Sequence, residues 1–257
     1  MNRTFFGQQV PGYAISYPDG KPLVTITIPV GLLRLWDTGA VWCYAANSWD
    51  GLDGMLALAQ RLNAEPLYVL GRPPDSPNPP STESLVQFLT SLLNRANGRV
   101  KYWELWNEPA ITSMYWNGSV SRLLEQSRLA YGLIKSRVPD SVILTPSFND
   151  LDSYGYQFAR DYLTQARGAW WQRMLRRVPK HADGVAYHSY HDHVADLKTL
   201  RTLTDLPVWL TETVNAPLAE LAALGVKCVV HNAQIVDDLD ASTTGKDWCG
   251  AYDALTK

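Results

Sequence analysis

Tyr102-Trp103-Glu104-Leu105-Trp106-Asn107-Glu108-Pro109 is the stretch around which the rest of the chain is organised. It opens as an aromatic and aliphatic run suited to a buried strand. It stops at Pro109, which has no N–H to give to a sheet ladder. An amide, Asn107, and a carboxylate, Glu108, sit just before that stop. Polar groups at the C-terminal tip of an otherwise buried strand are where a parallel sheet gathers its chemistry. A plain strand-ending turn would look the same over three residues, so the surroundings decide.

Outward from this strand (residues 100–106), short apolar runs alternate with helix-period segments along almost the whole length, the pattern of a parallel sheet with crossover helices. Upstream, strands are expected at residues 4–10, 30–36 and 66–70; downstream, at 141–146, 184–190, 207–211 and 226–230. A helix is expected over 49–62, with Leu52, Met55, Leu56, Ala59 and Leu62 on one face. The next starts at Ser81-Thr82-Glu83, where Ser or Thr caps it, and runs through Leu85, Phe88, Leu89, Leu92 and Leu93. Further helices are expected at 119–138, stopped by Pro139, at 156–178 with Trp170 and Trp171, at 195–203, and at 217–224 with Gly225 as C-cap glycine. Pro18-Asp19-Gly20 reads as a turn, and the Pro-rich loop from Pro73 to Pro80 as a stiff wall of a cleft. Eight strands in 257 residues fit one α/β domain, a single (β/α)8 TIM barrel over residues 1–257, with a short irregular segment after about 232.

A formal net charge of −2 gives no basic field, which argues against a nucleic-acid partner. No uncharged apolar run reaches membrane-spanning length, so no membrane insertion is expected. Phe5-Phe6 followed by Gly7-Gln8-Gln9 is too short for a signal-peptide core. A soluble chain is expected, secreted or periplasmic if a leader precedes it. The odd set Cys43, Cys228 and Cys249 fits no metal spacing and reads as three small buried hydrophobes, with a Cys228–Cys249 pair as the alternative in an exported chain. Ten Trp and thirteen Tyr stand out. Their rings suit the C–H faces of sugars, although roughly half are expected in the core.

Alternate residues of a barrel strand point inward. That rule groups Arg34 with Trp36, Glu104 with Trp106 and Glu108, His188 with Tyr190, and Val208 with Leu210 and Glu212. The polar members lie at or near strand C-termini, apart from Glu104, which lies deeper and needs a cation; Arg34 is the best available. Glu108 and Glu212 form the carboxylate pair that glycoside hydrolysis requires, one as acid and one as nucleophile. Asn107 stands ready to hold a sugar hydroxyl, and Arg34 to keep Glu212 ionised.

Trp106-Asn107-Glu108-Pro109, with a second Glu ending a later strand, resembles the clan A glycoside hydrolases, which are retaining β/α-barrel enzymes. Leu33-Arg34-Leu35-Trp36-Asp37-Thr38-Gly39 and Tyr68-Val69-Leu70-Gly71-Arg72-Pro73-Pro74 look like the β-xylosidase/α-L-iduronidase family and its bacterial exopolysaccharide-hydrolase relatives. His188-Ser189-Tyr190 is similar to the clan's His-x-Tyr. The resemblance spans about residues 6–232. It implies Glu108 as acid/base, Glu212 as nucleophile, Asn107 on the hydroxyl beside the anomeric carbon, and Arg34, His188 and Tyr190 around the nucleophile. Many clan members end strand eight in a Trp; here the run is Val229-Val230-His231-Asn232, so Trp36, Trp116 or Trp248 is the expected sugar platform and Asn232 a further contact. The expected activity is double displacement with retention on a poly- or oligosaccharide, endo-acting, without cofactor or metal. In it Glu108 starts protonated, its pKa raised by burial and by Glu212. The alternatives are a non-catalytic carbohydrate-binding barrel and a metal-dependent hydrolase using His188, His191 and His193.

Overall fold

The computed structural model describes residues 3–10, 30–35, 49–71, 77–169 and 179–232. Strands and helices follow one another as β1 (Phe6–Val10), β2 (Leu32–Leu35), α1 (Asp50–Arg61), β3 (Glu65–Val69), α2 (Thr82–Ala96), β4 (Tyr102–Glu104) and α3 (Val120–Arg137). Then come β5 (Val142–Leu144), α4 (Ser153–Arg167), β6 (Val185–Ser189), α5 (His193–Leu203), β7 (Val208–Thr213), α6 (Leu218–Ala223) and β8 (Val229–Asn232). All paired neighbours are parallel, in the order β5-β4-β3-β2-β1-β8-β7-β6. Single bridges close the ring between β5 and β6: Thr145 N donates to Gly184 O at 2.9 Å, and His188 N to Phe148 O at 2.7 Å. The fold is the expected (β/α)8 barrel.

Two apolar layers follow from strand alternation. The outer one joins Leu33, Leu35, Trp103 and Leu210 to the helical faces read from the sequence, among them Leu52, Met55, Leu85, Leu89 and Leu92. The inner one fills the lower barrel with Leu32, Leu67, Leu144, Ala186, Trp209, Cys228 and Val230. Gly7 belongs to this narrow interior, where a Cβ would lie 2.7 Å from Val230 Cγ2. Cys228 is thus the small buried hydrophobe expected of it, its thiol pushed up by burial.

The helix ends obey local chemistry. Ser81 Oγ accepts from Ser84 N at 3.1 Å as the cap of α2, and Gly225, at φ +78°, follows α6 in the left-handed region. The helix expected over 156–178 differs. It starts three residues earlier, at Ser153, with Asp152 as its cap accepting from Gly155 N at 2.8 Å, and Gly168 at φ +66° ends it after Arg167. Pro18-Asp19-Gly20, Trp36, Cys43, residues 72–76, Trp170, Trp171 and the chain after 232, with Trp248 and Cys249, lie outside the described residues. Among the described residues no helix is long and apolar enough to cross a membrane.

Candidate active site

Above the apolar filling the barrel interior turns ionic around one side chain. Arg34, fully buried on β2, donates from Nη2 to Glu104 Oε1 at 2.5 Å and from Nε to Glu104 Oε2 at 3.3 Å. The ion pair expected from the sequence is therefore formed, and formed on two bonds. The other donors spread upward: Nη2 to Asn107 Oδ1 at 2.8 Å, Nη1 to Glu212 Oε2 at 2.9 Å, and Nη1 to Gln9 Oε1. Nη2 also lies 3.3 Å from His188 Nε2. Burial opposes the guanidinium charge, and Glu104, then Glu212, outweigh it, so the Arg34 pKa is raised.

β4 delivers its polar residues by breaking alternation. Glu104 is the last ladder residue, paired with Val69 and Leu144. Beyond it Trp106 takes φ +67° and Glu108 φ +40°, each a strained conformation costing about 1–3 kcal/mol for a residue with a side chain. The turn at Trp106 sends its ring out of the barrel and Asn107 in. Trp106 does not share the inward face of Glu104 and Glu108, as strict alternation predicts; its ring meets Trp116 edge-on, 5.3 Å between centroids. Trp116 is itself completely buried, with its indole N–H donated to Ser119 O at 3.3 Å. Its faces are covered by protein, which corrects the expectation of Trp116 as a sugar platform. The strained segment is braced from the strand β5 side, where Asn107 bridges Ser147 and Glu108 N donates to Ser147 Oγ at 3.3 Å.

β7 reaches the same interior by a different irregularity. Val208 and Leu210 pack outward and Trp209 inward, so plain alternation would aim Glu212 at the helices. Against β6, Leu210 pairs with Tyr187 and Glu212 with the very next residue, His188. Thr211 is the extra residue, a bulge that flips the parity and turns Glu212 inward. The shared face of Val208, Leu210 and Glu212 is thus corrected, although Glu212 arrives where that reading placed it. Tyr190 O–H donates to Glu212 Oε1, so both carboxylate oxygens are held, one by a phenol and one by Arg34.

His188 stands between the two carboxylates. Its Nδ1 is 2.8 Å from Glu108 Oε1 and 3.9 Å from Glu212 Oε2. Arg34 has no lone pair to offer Nε2, so in the neutral ring Nε2 accepts and the proton sits on Nδ1, directed at Glu108. Burial lowers the imidazole's proton affinity, but Glu212 and Glu108 overcome it and the His188 pKa is raised. Burial likewise raises the Glu108 pKa, but the hydrogen bond and charge of His188, with Arg34, more than reverse it. Glu108 is therefore held below the usual carboxylate range, not above it as expected; the expectation left out His188 as a donor. A further proton on the ring has to sit on Nε2, where the carboxylates favour it and Arg34 opposes it, so His188 and Glu108 share the titration of the pair.

The structure brings Glu108, Glu212, Asn107, Arg34, His188 and Tyr190 together. Trp36 and the side chain of Asn232 lie outside the described residues. Two members were missed. Gln9 follows from Gly7 by the same alternation on β1, and Ser147 follows only from the β4–β5 bridge, which has no sequence signal. The three histidines do not converge: His193 Nε2 bonds Thr213 Oγ1 at 2.7 Å, His188 serves Glu108, and His191 is exposed. Among the described residues no group of three His, Cys, Asp or Glu side chains is arranged to hold a metal ion.

No protein-family model and no curated protein matches the chain. Solved structures do, glycosidases among them. A glucosidase from Croceicoccus marinus superposes with TM-score 0.68 at 15% identity, over 90% of this chain and 60% of its own. A family 51 α-L-arabinofuranosidase from Bifidobacterium longum gives 0.62 at 10% identity, over 89% and 66%. A GH39 enzyme from Xanthomonas axonopodis pv. citri gives 0.53 at 11%, over 88% and 61%. Identities this low show the shared fold, spread across several enzyme families, and do not single out the β-xylosidase/α-L-iduronidase family. The chain spans about three fifths of the length of the glucosidase.

Proposed function

We propose that this chain is a retaining glycoside hydrolase that cleaves O-glycosidic bonds of a poly- or oligosaccharide by double displacement. The observation that carries this reading is the unequal dressing of two carboxylates at the barrel mouth, one just beyond β4 and one on β7. Glu212 has both oxygens held by donors, which suits a group that must stay ionised and attack. Glu108 has Oε1 on His188, so in the protonated form of the pair Oε2 is the oxygen left to give its proton to the leaving group. Both reach toward one imidazole nitrogen, which supports a spacing nearer the ~5–5.5 Å of retaining enzymes than the ~9 Å of inverting ones. Glu212 attacks the anomeric carbon as Glu108 protonates the departing oxygen. Glu108, now a base, takes a proton from water as it releases the sugar from Glu212. Asn107, fixed through Oδ1 on Arg34, presents its amide N–H to the neighbouring hydroxyl.

The test replaces Glu212 by Gly and supplies azide. A glycosyl azide of inverted configuration is expected; wild-type turnover without azide overturns the assignment. Endo action is part of the proposal: a ladder of mixed product lengths is expected, and release of single terminal sugars overturns that part. A wild-type protein that binds polysaccharides but changes no product mass would be the carbohydrate-binding barrel instead.

A further inference from the structure

Glu104 touches neither the place where a sugar would sit nor either of the two facing carboxylates. It is fully buried, one step below the mouth of β4, and both its oxygens take donors from Arg34. That grip uses the Nε–Nη2 edge of the guanidinium and so fixes the plane of the whole group. The remaining donors are then aimed: Nη1 at Gln9 and Glu212, Nη2 at Asn107 and His188. The bond that reaches Glu212 from below and the contact at His188 Nε2 both start from the cation that Glu104 holds, and Glu104 Oε1 itself lies 4.0 Å from that nitrogen. Glu104 also cancels that cation's charge. We infer that Glu104 is a positioning residue for both carboxylates, fixing Arg34 in place and neutralising it so that the His188–Glu108 pair keeps its proton.

The kinetic consequence rests on the glycosidase reading above; the electrostatic one does not. The groups facing the pair are Arg34 from β2, Gln9 from β1, Glu104 and Asn107 from β4, Tyr190 beyond β6, and Glu212 from β7. The register partners of Glu104 on β3 and β5 are Val69 and Leu144, both apolar. On β8, burial pushes His231 down to about 4, and just before it burial pushes the Cys228 thiol up, so both are neutral through the working range. Arg34 is the cation of this set and Glu104 its bidentate partner. Without the Glu104 charge, Arg34 acts in full on its neighbours: it favours ionised Glu108 and Glu212 and disfavours protonated His188. The His188 and Glu108 pKa values then move down.

The experiment is Glu104→Gln, read by the pH profile of kcat/KM. Both limbs are expected to move to lower pH, by about one unit. A fall in activity with unmoved limbs would mean a packing role only and overturn the inference. Gln9→Glu supplies a second readout should Glu104→Gln not fold. It adds a carboxylate at the other edge of Arg34 and should move both limbs upward; unmoved limbs there count equally against the inference. The His188 imidazole titration, followed by 15N NMR without substrate, should fall in Glu104→Gln. If it falls while no glycoside is ever cleaved, the glycosidase reading fails and the role of Glu104 stands. If it does not move, the role of Glu104 fails whatever the enzyme cleaves.

Discussion

The lower and upper halves of the barrel interior are built by the same alternating strands and do opposite things. Below, Leu32, Leu67, Leu144, Ala186, Trp209, Cys228 and Val230 exclude every ion, and each fully buried leucine contributes about 1.5–3 kcal/mol. Above, Arg34, Glu104 and His188 are just as buried, but each ion costs several kcal/mol to desolvate, and pairing only offsets that cost. The regular register is confined to the lower half. Each departure that matters to the site lies above it: φ +67° at Trp106, φ +40° at Glu108 and the bulge at Thr211. The lower half therefore holds the barrel together and the upper half is held by it, free to spend its hydrogen bonds on aiming Glu108 and Glu212.

The largest expected effect separates the halves by activity alone. Glu108→Gln keeps the shape of a side chain in the upper half and removes the titratable carboxyl. On glycosides with poor leaving groups, kcat should fall by about 10²–10⁴-fold, and the alkaline limb of the pH profile should disappear. Glycosides with leaving groups that need no protonation should be cleaved at a rate much closer to wild type in the first step. A uniform loss across leaving groups would remove Glu108 from the acid role and erase the distinction between its dressing and that of Glu212.

The sequence was a good guide to the lower half and an uneven one to the upper. Apolar runs and helical faces are summed over many residues, so Leu52, Met55, Leu85 and Leu89 gave their faces correctly, and one misjudged helix end at Gly168 did no harm. Arg34 and Glu104 were legible because a buried charge demands a partner and few were on offer. Glu108 and Glu212 were legible as strand-tip carboxylates, but the alternation used to aim them was not the alternation the strands follow. Thr211 carries no mark of a bulge, and nothing in Trp106 announces a positive φ. Both are imposed by neighbours, Thr211 by the pairing to His188 and Trp106 by the bridge from Asn107 to Ser147. Trp116 failed for a related reason: a tryptophan in a loop after a strand reads equally as platform or as core, and the ring of Trp106 decided for core.

A stability measurement should show the complement. Leu144 is fully buried in the lower layer, directly beside Glu104 in the β4–β5 register. Leu144→Ala should cost about 2–5 kcal/mol in denaturant unfolding, because the closed ring of strands has little room to collapse into the space left. Activity per folded molecule should stay close to wild type, since the bonds of Arg34 do not pass through Leu144. A loss of kcat at full folding would show that the lower layer sets the height of Glu104, and that the two halves are one device.

The smallest effect belongs to neither half and calibrates both. Ser81 starts α2 on the outside of the barrel, with its hydroxyl accepting from Ser84 N at 3.1 Å. Ser81→Ala leaves one helical N–H without that acceptor, and solvent can replace it only in part, so the expected cost is about 1 kcal/mol. α2 carries Leu85, Leu89 and Leu92 into the outer layer, and that anchorage should keep the helix in place when the cap is lost. Unfolding should therefore shift slightly and kcat/KM not at all. A change in kcat/KM would mean that the outer shell sets the geometry of β4, which follows α2 directly. The inner filling and the Arg34 network would then not be enough to explain how Glu108 is aimed.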